Sequence, residues 1–274
     1  MVAPRAAALA GRADDWQTAG MSTVLITGAS RGIGAAIARE LAERGRPVVL
    51  AARGVEDLEA EVGRLTSAGL RAAALVLDVA DTASIAAALE QLGAIEADLG
   101  PLTALVNNAG IAISAPLARS ADHDGVDLYA RHMDVNFHGP RRLTEALVPR
   151  FSEAGGGRVL NIASSAGLQG YAYVSAYCAS KHALVGYTRA AAAEFARGEV
   201  VFGALCPHYV DSPMLAASVA NVVAKTGKSE EEARAFFASQ NPGGKLVQPA
   251  DLACTAADWL ERGENGAIVE LTGS

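Results

Sequence analysis

The sequence has few aromatic residues, and its apolar content comes instead from small and aliphatic side chains. Phe, Trp and Tyr make up 5% of the 274 residues, whereas hydrophobic residues as a whole make up 51%. Ala, Val and Leu supply most of that fraction, and 28 residues are glycine. Small side chains let helices and strands approach closely, so this composition favours a parallel sheet covered by helices.

Cysteines, basic residues and long apolar runs are also scarce. The three cysteines, Cys178, Cys206 and Cys254, fit neither a disulfide framework nor a zinc cluster, which predicts reduced thiols, a cytoplasmic location and no metal site. Acidic residues outnumber basic ones by 30 to 23, which argues against binding to nucleic acids or anionic membranes. No apolar run approaches the roughly 20 residues of a membrane-spanning helix, so none is predicted.

Short apolar runs alternate with longer helical stretches along the chain, which is the pattern of repeated βαβ units. Strands are predicted at 23–27, 47–51, 72–77, 102–106, 158–162, 200–205 and 268–271. The first helix is predicted to run from the glycine-rich turn after the first strand to about residue 44. Further helices are predicted at 55–68, 81–97, 125–154, 175–197 and 251–262. The sequence therefore predicts a single α/β domain over 21–274, a doubly wound parallel sheet of about seven strands between two helical layers (a Rossmann fold).

Two segments depart from this alternation. Residues 1–20 are expected to form a loose N-terminal extension, with Met21 a candidate for the biological start. Residues 213–245 carry the charged run KTGKSEEEAR between a proline and a glycine pair, which indicates a helical insertion or lid rather than core.

A glycine-rich turn separates the first strand from the first helix. Its sequence is Thr27-Gly28-Ala29-Ser30-Arg31-Gly32-Ile33-Gly34. Glycines at this place permit a tight turn and a close approach of the backbone to a pyrophosphate, whose charge the free N–H groups of the helix start favour. The alternative is a tight turn that needs glycine and binds nothing.

The residues after the second and third strands favour NADP(H) over NAD(H). NAD-binding folds usually place an acidic residue after the second strand, but here that strand is followed by Arg53. Arg53 and Arg31 are suited to hold a 2′-phosphate, because guanidinium groups bond phosphates bidentately; otherwise each is a solvated loop residue. Asp78 is a candidate for contact with adenine, although it is equally compatible with a strand-terminal turn.

Tyr177 and Lys181 lie one helical turn apart, so they share a helix face. A nearby ammonium is expected to lower the pKa of a tyrosine toward the range useful for general acid–base catalysis. By itself the pair is equally typical of a solvated helix face. However, Ser164 follows the fifth strand and Asn107–Gly110 follow the fourth, where open α/β sheets place their sites.

With these motifs in order, the chain resembles the short-chain dehydrogenase/reductase family from about Thr23 to Ser274. The resemblance rests on TGASRGIG, NNAG, Tyr-x-x-x-Lys and a serine thirteen residues before that tyrosine. It implies that Tyr177 exchanges a proton with the substrate oxygen, that Lys181 lowers the tyrosine pKa and holds the nicotinamide ribose, and that Ser164 polarises the substrate oxygen. Asn136 would support a water relay to the lysine.

The resemblance also implies which residues contact the cofactor. Beyond Tyr177 and Lys181, they are Gly28, Ser30, Arg31, Gly32, Ile33, Gly34, Arg53, Asp78, Val79, Asn108, Ala109, Gly110, Pro207, Val210 and Ser212. One position departs from the family pattern, because His208 stands where the glycine after Pro207 is usual. Histidine lacks the conformational freedom of glycine, but we expect it to be tolerated at this position.

The predicted function is thus hydride transfer between NADP(H) and a carbonyl or secondary alcohol. The sequence of the segment 213–245 resembles the corresponding segment of reductases that act on 3-oxoacyl thioesters of coenzyme A or acyl carrier protein. The alternatives are a nucleotide-sensing protein without turnover and an NAD-dependent 3-hydroxyacyl or alcohol dehydrogenase. The family also implies a homotetramer or homodimer that uses the helices near 125–154 and 175–197.

Overall fold

A computed structural model describes residues 22–198 and 200–273. The expected N-terminal extension and Met21 lie outside the described residues. Seven parallel strands form one sheet in the order β3-β2-β1-β4-β5-β6-β7. The strands are β1 (Thr23–Thr27), β2 (Val48–Ala52), β3 (Ala72–Val76), β4 (Leu102–Asn107), β5 (Gly157–Ile162), β6 (Val200–Pro207) and β7 (Ile268–Leu271).

Helices cover both faces of this sheet. They are α1 (Gly32–Glu43), α2 (Val55–Ser67), α3 (Thr82–Leu99), α4 (Leu128–Met133), α5 (Gly139–Glu153), α6 (Ser175–Glu194), α7 (Pro213–Thr226), α8 (Glu230–Ser239) and α9 (Pro249–Arg262). One core cluster packs α1, α2 and α9 on the sheet, and a second packs α3, α5 and α6 on its other face. The predicted three-layer Rossmann fold is confirmed.

The strand order reverses beside β1, which pairs with β2 on one side and with β4 on the other. In open α/β sheets the crevice beyond the carboxyl ends of the strands at such a point receives the ligand. The glycine turn follows β1, and the Asn108–Gly110 segment follows β4. Both therefore emerge at the same crevice.

The predicted helix over 125–154 starts later and is interrupted. Asp124 and Gly125 have positive φ values of 54° and 78°, which an α-helix excludes. The helix instead begins at Leu128, with Asp127 accepting N-terminal hydrogen bonds. A π-helical turn at Asp134–His138 then separates α4 from α5, and such turns are frequent at functional sites.

The predicted insertion at 213–245 contains the helices α7 and α8. Ser229 and Glu232 form a reciprocal capping box that starts α8. Leu215, Val219 and Phe237 pack in a small cluster of their own, separate from the main cores. Within the described residues, no helix is long and apolar enough to cross a membrane.

Candidate active site

The glycine turn after β1 is closely packed against the segment that follows β4. Gly28 has φ +65°, and a Cβ there would lie 2.8 Å from Ala109 Cα. A Cβ on Gly34 would lie 2.4 Å from Gly28 O and 2.5 Å from the Asn108 amide nitrogen. The Arg31 side chain makes no capping hydrogen bond at the start of α1. This geometry fits the close approach of a pyrophosphate to the backbone and to the helix N-terminus.

Hydrogen bonds join the two segments directly. Asn108 Nδ2 donates to Thr27 O at 2.8 Å and to Gly28 O at 3.2 Å. Thr27 Oγ1 accepts from the backbone N–H groups of Asn108 and Ala109, both at 3.0 Å. The structure therefore brings together the predicted residues of the glycine turn and of the NNAG segment.

The two arginines named as phosphate ligands lie on the surface. Arg31 is exposed, and the Arg53 side chain is 71% exposed after β2. Arg53 Nη1 lies 4.0 Å from Asp78 Oδ2, which is the outer limit of an ion pair. Such a loose, solvated ion pair contributes little to stability. The Arg53 guanidinium can therefore turn toward a phosphate with little loss of free energy.

Asp78 and Val79 have structural roles of their own. Asp78 Oδ1 accepts from Ala80 N at 2.9 Å, so this residue does form a strand-terminal turn. Val79 is 6% exposed and belongs to the core on the α3–α5 face. The second Asp78 oxygen is the one that faces Arg53.

Tyr177, Ser164 and Lys181 meet at the carboxyl end of β5. Ser164 Oγ accepts from Ala166 N at 3.1 Å, which fixes the hydroxyl at the start of a short 3₁₀ turn. Burial raises the pKa of the Tyr177 phenol to about 12, while its hydrogen bond with Ser164 acts in the opposite direction. The phenol is therefore neutral, and protonated, at neutral pH.

Lys181 is buried beside the tyrosine. Its Nζ donates to Ile162 O at 2.8 Å and lies 5.8 Å from the centroid of the Tyr177 ring. Burial lowers the pKa of Lys181 to about 8. The sequence predicted that this ammonium lowers the tyrosine pKa. In the structure burial has the largest effect on the phenol, and the net pKa of Tyr177 is raised.

Asn136 occupies the π-helical turn between α4 and α5. Its Oδ1 accepts from Ile111 N at 2.9 Å, and its Nδ2 donates to Ile111 O and to Ser180 Oγ, both at 3.0 Å. A Cβ on Gly110 would lie 3.3 Å from Asn136 Oδ1 and 3.8 Å from Lys181 Nζ. Asn136 thus fixes the segment after β4 where that segment passes the lysine.

His132 is a neighbour of the site that the sequence analysis missed. It is fully buried, and its ring lies 6.2 Å from that of Tyr177. Nε2 accepts from Ile113 N at 3.0 Å, so Nδ1 carries the proton and donates to Leu128 O at 2.7 Å. Burial lowers the pKa of this imidazole. Its position four residues before Asn136, one helical turn away, was the signal that could have found it.

The loop after β6 carries Val210 and Ser212, for which the resemblance implied contact with the cofactor. Ser212 Oγ accepts from Leu215 N at 3.4 Å and caps α7, and Val210 pairs with Val247. Of the described residues other than glycine, positive φ values occur at Asp124 and Tyr173, so His208 replaces the usual glycine without backbone strain. His208 is 7% exposed, and its Nε2 bonds Glu270 Oε1 at 2.6 Å.

Comparisons with known proteins agree with this geometry. The model of the short chain dehydrogenase family matches residues 22–223. A putative ketoacyl reductase of Streptomyces coelicolor is 37% identical over 232 residues, which cover 84% of this chain and 86% of that protein.

Two solved structures are similar over nearly their whole length. A crystal structure of an actinorhodin polyketide ketoreductase variant with NADPH has a TM-score of 0.84 and 33% identity, and the match covers 92% of this chain and 96% of that one. L-sorbose reductase from Gluconobacter frateurii, complexed with NADPH and L-sorbose, has a TM-score of 0.83 and 25% identity, with 93% and 97% covered. The chain belongs to the short chain dehydrogenase family of oxidoreductases, whose members act on CH–OH and ketone groups.

Proposed function

We propose that this protein is an NADP(H)-dependent carbonyl reductase whose substrate is a 3-oxoacyl thioester, carried by coenzyme A or acyl carrier protein, or a related ketone. The observation that carries the proposal is the arrangement of Tyr177. Its neutral phenol lies beside Ser164 and is flanked by the buried Lys181, at the crevice that the glycine turn also faces.

Tyr177, Ser164 and Lys181 together transfer a proton to the carbonyl oxygen of the substrate and orient that oxygen. When bound, a reduced nicotinamide cofactor supplies a hydride to the carbonyl carbon. Tyr177 gives its proton to the carbonyl oxygen as negative charge develops there, and solvent later returns a proton to the phenolate. Ser164 orients and polarises that oxygen. Lys181 supplies the nearby positive charge that stabilises the transient phenolate. In the reverse direction Tyr177 accepts the proton of the alcohol.

The preference for NADP(H) rests on Arg53 and Arg31. Both guanidiniums lie near the glycine turn, one within it and one after the neighbouring strand β2. The dianionic 2′-phosphate distinguishes NADP(H) from NAD(H), and two cations favour it. The actinorhodin ketoreductase and the L-sorbose reductase were both crystallised with NADPH, which supports this choice.

Asn136 is proposed as a positioning residue, because its amide is committed to Ile111 and Ser180. The family's water relay to Lys181 would then use the remaining lone pair of its Oδ1 or its backbone. We also propose a homotetramer or homodimer built on α4–α5 and α6. The unpaired Cys178, Cys206 and Cys254 support a reducing, cytoplasmic environment.

The test is a panel of 3-oxoacyl thioesters, simple ketones and quinones, each assayed with NADPH and with NADH. Reduction of 3-oxoacyl thioesters or ketones with NADPH at rates well above those with NADH is the expected result. Tight NADPH binding without turnover of any compound would instead indicate a nucleotide-sensing protein. Faster alcohol oxidation with NAD⁺ would indicate a dehydrogenase.

A further inference from the structure

Residues 111–115 follow the NNAG motif, belong to no strand and are held by partners from other parts of the chain. Every second backbone N–H of this segment, at Ile111, Ile113 and Ala115, donates to one acceptor. These acceptors are Asn136 Oδ1 at 2.9 Å, His132 Nε2 at 3.0 Å and Tyr173 O at 2.8 Å. Of the three, only the imidazole can gain a proton near neutral pH, because amide and carbonyl oxygens do not titrate there. One support of this segment is therefore sensitive to pH.

The imidazole of His132 lies between the segment 111–115 and the proposed proton donor. The side chain is fully buried, and its Nδ1 donates to Leu128 O at 2.7 Å. The ring meets that of Tyr177 edge-on, with centroids 6.2 Å apart and planes at 73°. The same helix, α4, is also joined to α6 by Tyr129, whose hydroxyl donates to Ser175 Oγ at 3.0 Å. Helix α4 thus fixes the position of the imidazole relative to Tyr177.

The surroundings of His132 favour its neutral form. Burial lowers its pKa below the ordinary value of 6.5, and the positive charges of Arg131 in α4 and Lys181 in α6 act in the same direction. The bond to Leu128 O acts in the opposite direction but does not outweigh burial. Tyr177, the other titratable group of α6 at this point, is neutral, and the segment 111–115 has no ionisable side chain. At neutral pH the Nε2 lone pair is therefore available to the segment.

A proton on Nε2 would remove this support. A doubly protonated imidazole donates from both nitrogens, so Nε2–H would face the N–H of Ile113 and leave that donor without its acceptor. The segment begins directly after Gly110, and a Cβ on Gly110 would lie 3.8 Å from Lys181 Nζ. A shift of the segment would therefore be felt at the lysine beside Tyr177.

We propose that His132 is a positioning residue whose neutral imidazole holds the segment 111–115 and the Tyr177 ring in the geometry of proton transfer, and that protonation of Nε2 lowers turnover at acidic pH. The inference rests on the proposed reductase function, because it concerns how the proton donor of that reaction is kept in place. His132 acts through Ile113 and through the ring of Tyr177, and the proton that reaches the substrate still comes from Tyr177.

The first experiment measures kcat and KM between about pH 5 and pH 8 for acetoacetyl-coenzyme A with NADPH or, if this thioester is not reduced, for the ketone of the panel with the highest turnover. In wild type we expect kcat to fall about tenfold per pH unit below a midpoint that lies under pH 6.5, while KM for NADPH changes less than about twofold. His132→Gln keeps an amide acceptor for the Ile113 N–H but does not titrate. Its kcat should therefore stay level down to about pH 5.

Two further variants separate this role from a purely structural one. His132→Phe keeps a ring against Tyr177 but has no acceptor, so its kcat should be about tenfold lower at every pH, without an acidic limb. His182→Gln is the matched control, because His182 is an exposed helix residue whose Nδ1 likewise bonds a carbonyl four residues earlier, that of Cys178, at 2.9 Å. It should keep the acidic limb of wild type. A limb that persists in His132→Gln, or a wild-type profile level to about pH 5, would overturn the inference.

The second experiment needs no turnover. NMR signals of the imidazole nitrogens, assigned by their loss in His132→Gln or His132→Phe, report which nitrogen carries the proton and at which pH the second proton binds. We expect a proton on Nδ1 at neutral pH and a midpoint below pH 6.5. If wild type reduces no compound of the panel, the proposed function fails and these signals decide the assignment of His132 separately. A proton on Nε2 at neutral pH would overturn that assignment.

Discussion

The two ends of the crevice carry different kinds of chemical groups. At the glycine-turn end, the candidate groups are backbone N–H groups and the solvent-exposed guanidiniums of Arg31 and Arg53. At the opposite end, Lys181 is buried and Tyr177 is partly buried, and burial shifts the pKa of both toward the neutral form. Exposed charges suit reversible binding of an anion, whereas buried titratable groups suit proton transfer. This difference supports the proposal that cofactor binding and proton transfer are performed at separate ends of the crevice.

Removal of the Tyr177 phenol should abolish proton transfer to the substrate and leave cofactor binding intact. In Tyr177→Phe we expect turnover to fall by at least about 100-fold, because the proton donor is lost, while the Kd for NADPH changes less than about twofold. Steady-state kinetics and a fluorescence titration check both. Tyr173→Phe, which removes an exposed phenol four residues away, is the control. Turnover like that of wild type in Tyr177→Phe would rule out the proposed role.

A methyl group at Gly34 should disrupt the glycine turn and weaken cofactor binding. Its Cβ would lie 2.4 Å from Gly28 O, so Gly34→Ala must displace the turn. We expect about 2 kcal/mol of lost stability, as for other overpacked sites, and a marked loss of NADPH affinity. Thermal unfolding and NADPH titration measure these effects. Gly63→Ala in α2 has open space around it and serves as the matched control, with stability equal or higher. A Gly34→Ala protein that binds NADPH normally would refute the close-approach interpretation.

The buried lysine predicts a pH-dependent stability. Its pKa is lowered from 10.5 to about 8 on folding, so above pH 8 the unfolded chain binds more protons and wild-type stability rises with pH. Lys181→Met lacks this contribution. The free energy of unfolding of wild type, relative to that of Lys181→Met, should therefore increase by about 2 kcal/mol between about pH 7 and pH 9.5.

Denaturant unfolding of both proteins across this range measures the difference. Tyr177 adds no opposing slope there, because its folded pKa of about 12 affects stability only above its usual value of 10. A difference between the two proteins that does not change with pH would contradict the burial of the Lys181 charge.

The smallest effect is expected at the exposed arginine. Arg53→Ala should weaken NADPH binding about tenfold and NADH binding hardly at all, because one charge-assisted contact to the 2′-phosphate is lost. Titrations with both cofactors measure the ratio. Arg119→Ala, another exposed arginine, is the control. Equal losses for the two cofactors would remove the assignment of NADP(H).

What could be predicted from the sequence was local. The glycine turn, the strand ends and the spacing of Ser164, Tyr177 and Lys181 are short-range patterns, and the fold they imply is confirmed. The contacts of His132 and Asn136 could not be predicted, because Ile113 and Ile111 lie 19 and 25 positions away in the sequence. The π-helical turn that carries Asn136 also has no clear sequence signal. The net rise in the pKa of Tyr177 could not be predicted either, since it depends on burial by distant parts of the chain.

The division between the two ends is tested most directly by a double-mutant cycle of Arg53→Ala and Tyr177→Phe, with the NADPH Kd and the turnover number measured in all four proteins. If binding and chemistry are separate, the double variant has the Kd of Arg53→Ala and the turnover number of Tyr177→Phe, with a coupling within about 0.5 kcal/mol of zero. A loss of NADPH affinity in Tyr177→Phe as large as that in Arg53→Ala would contradict the division.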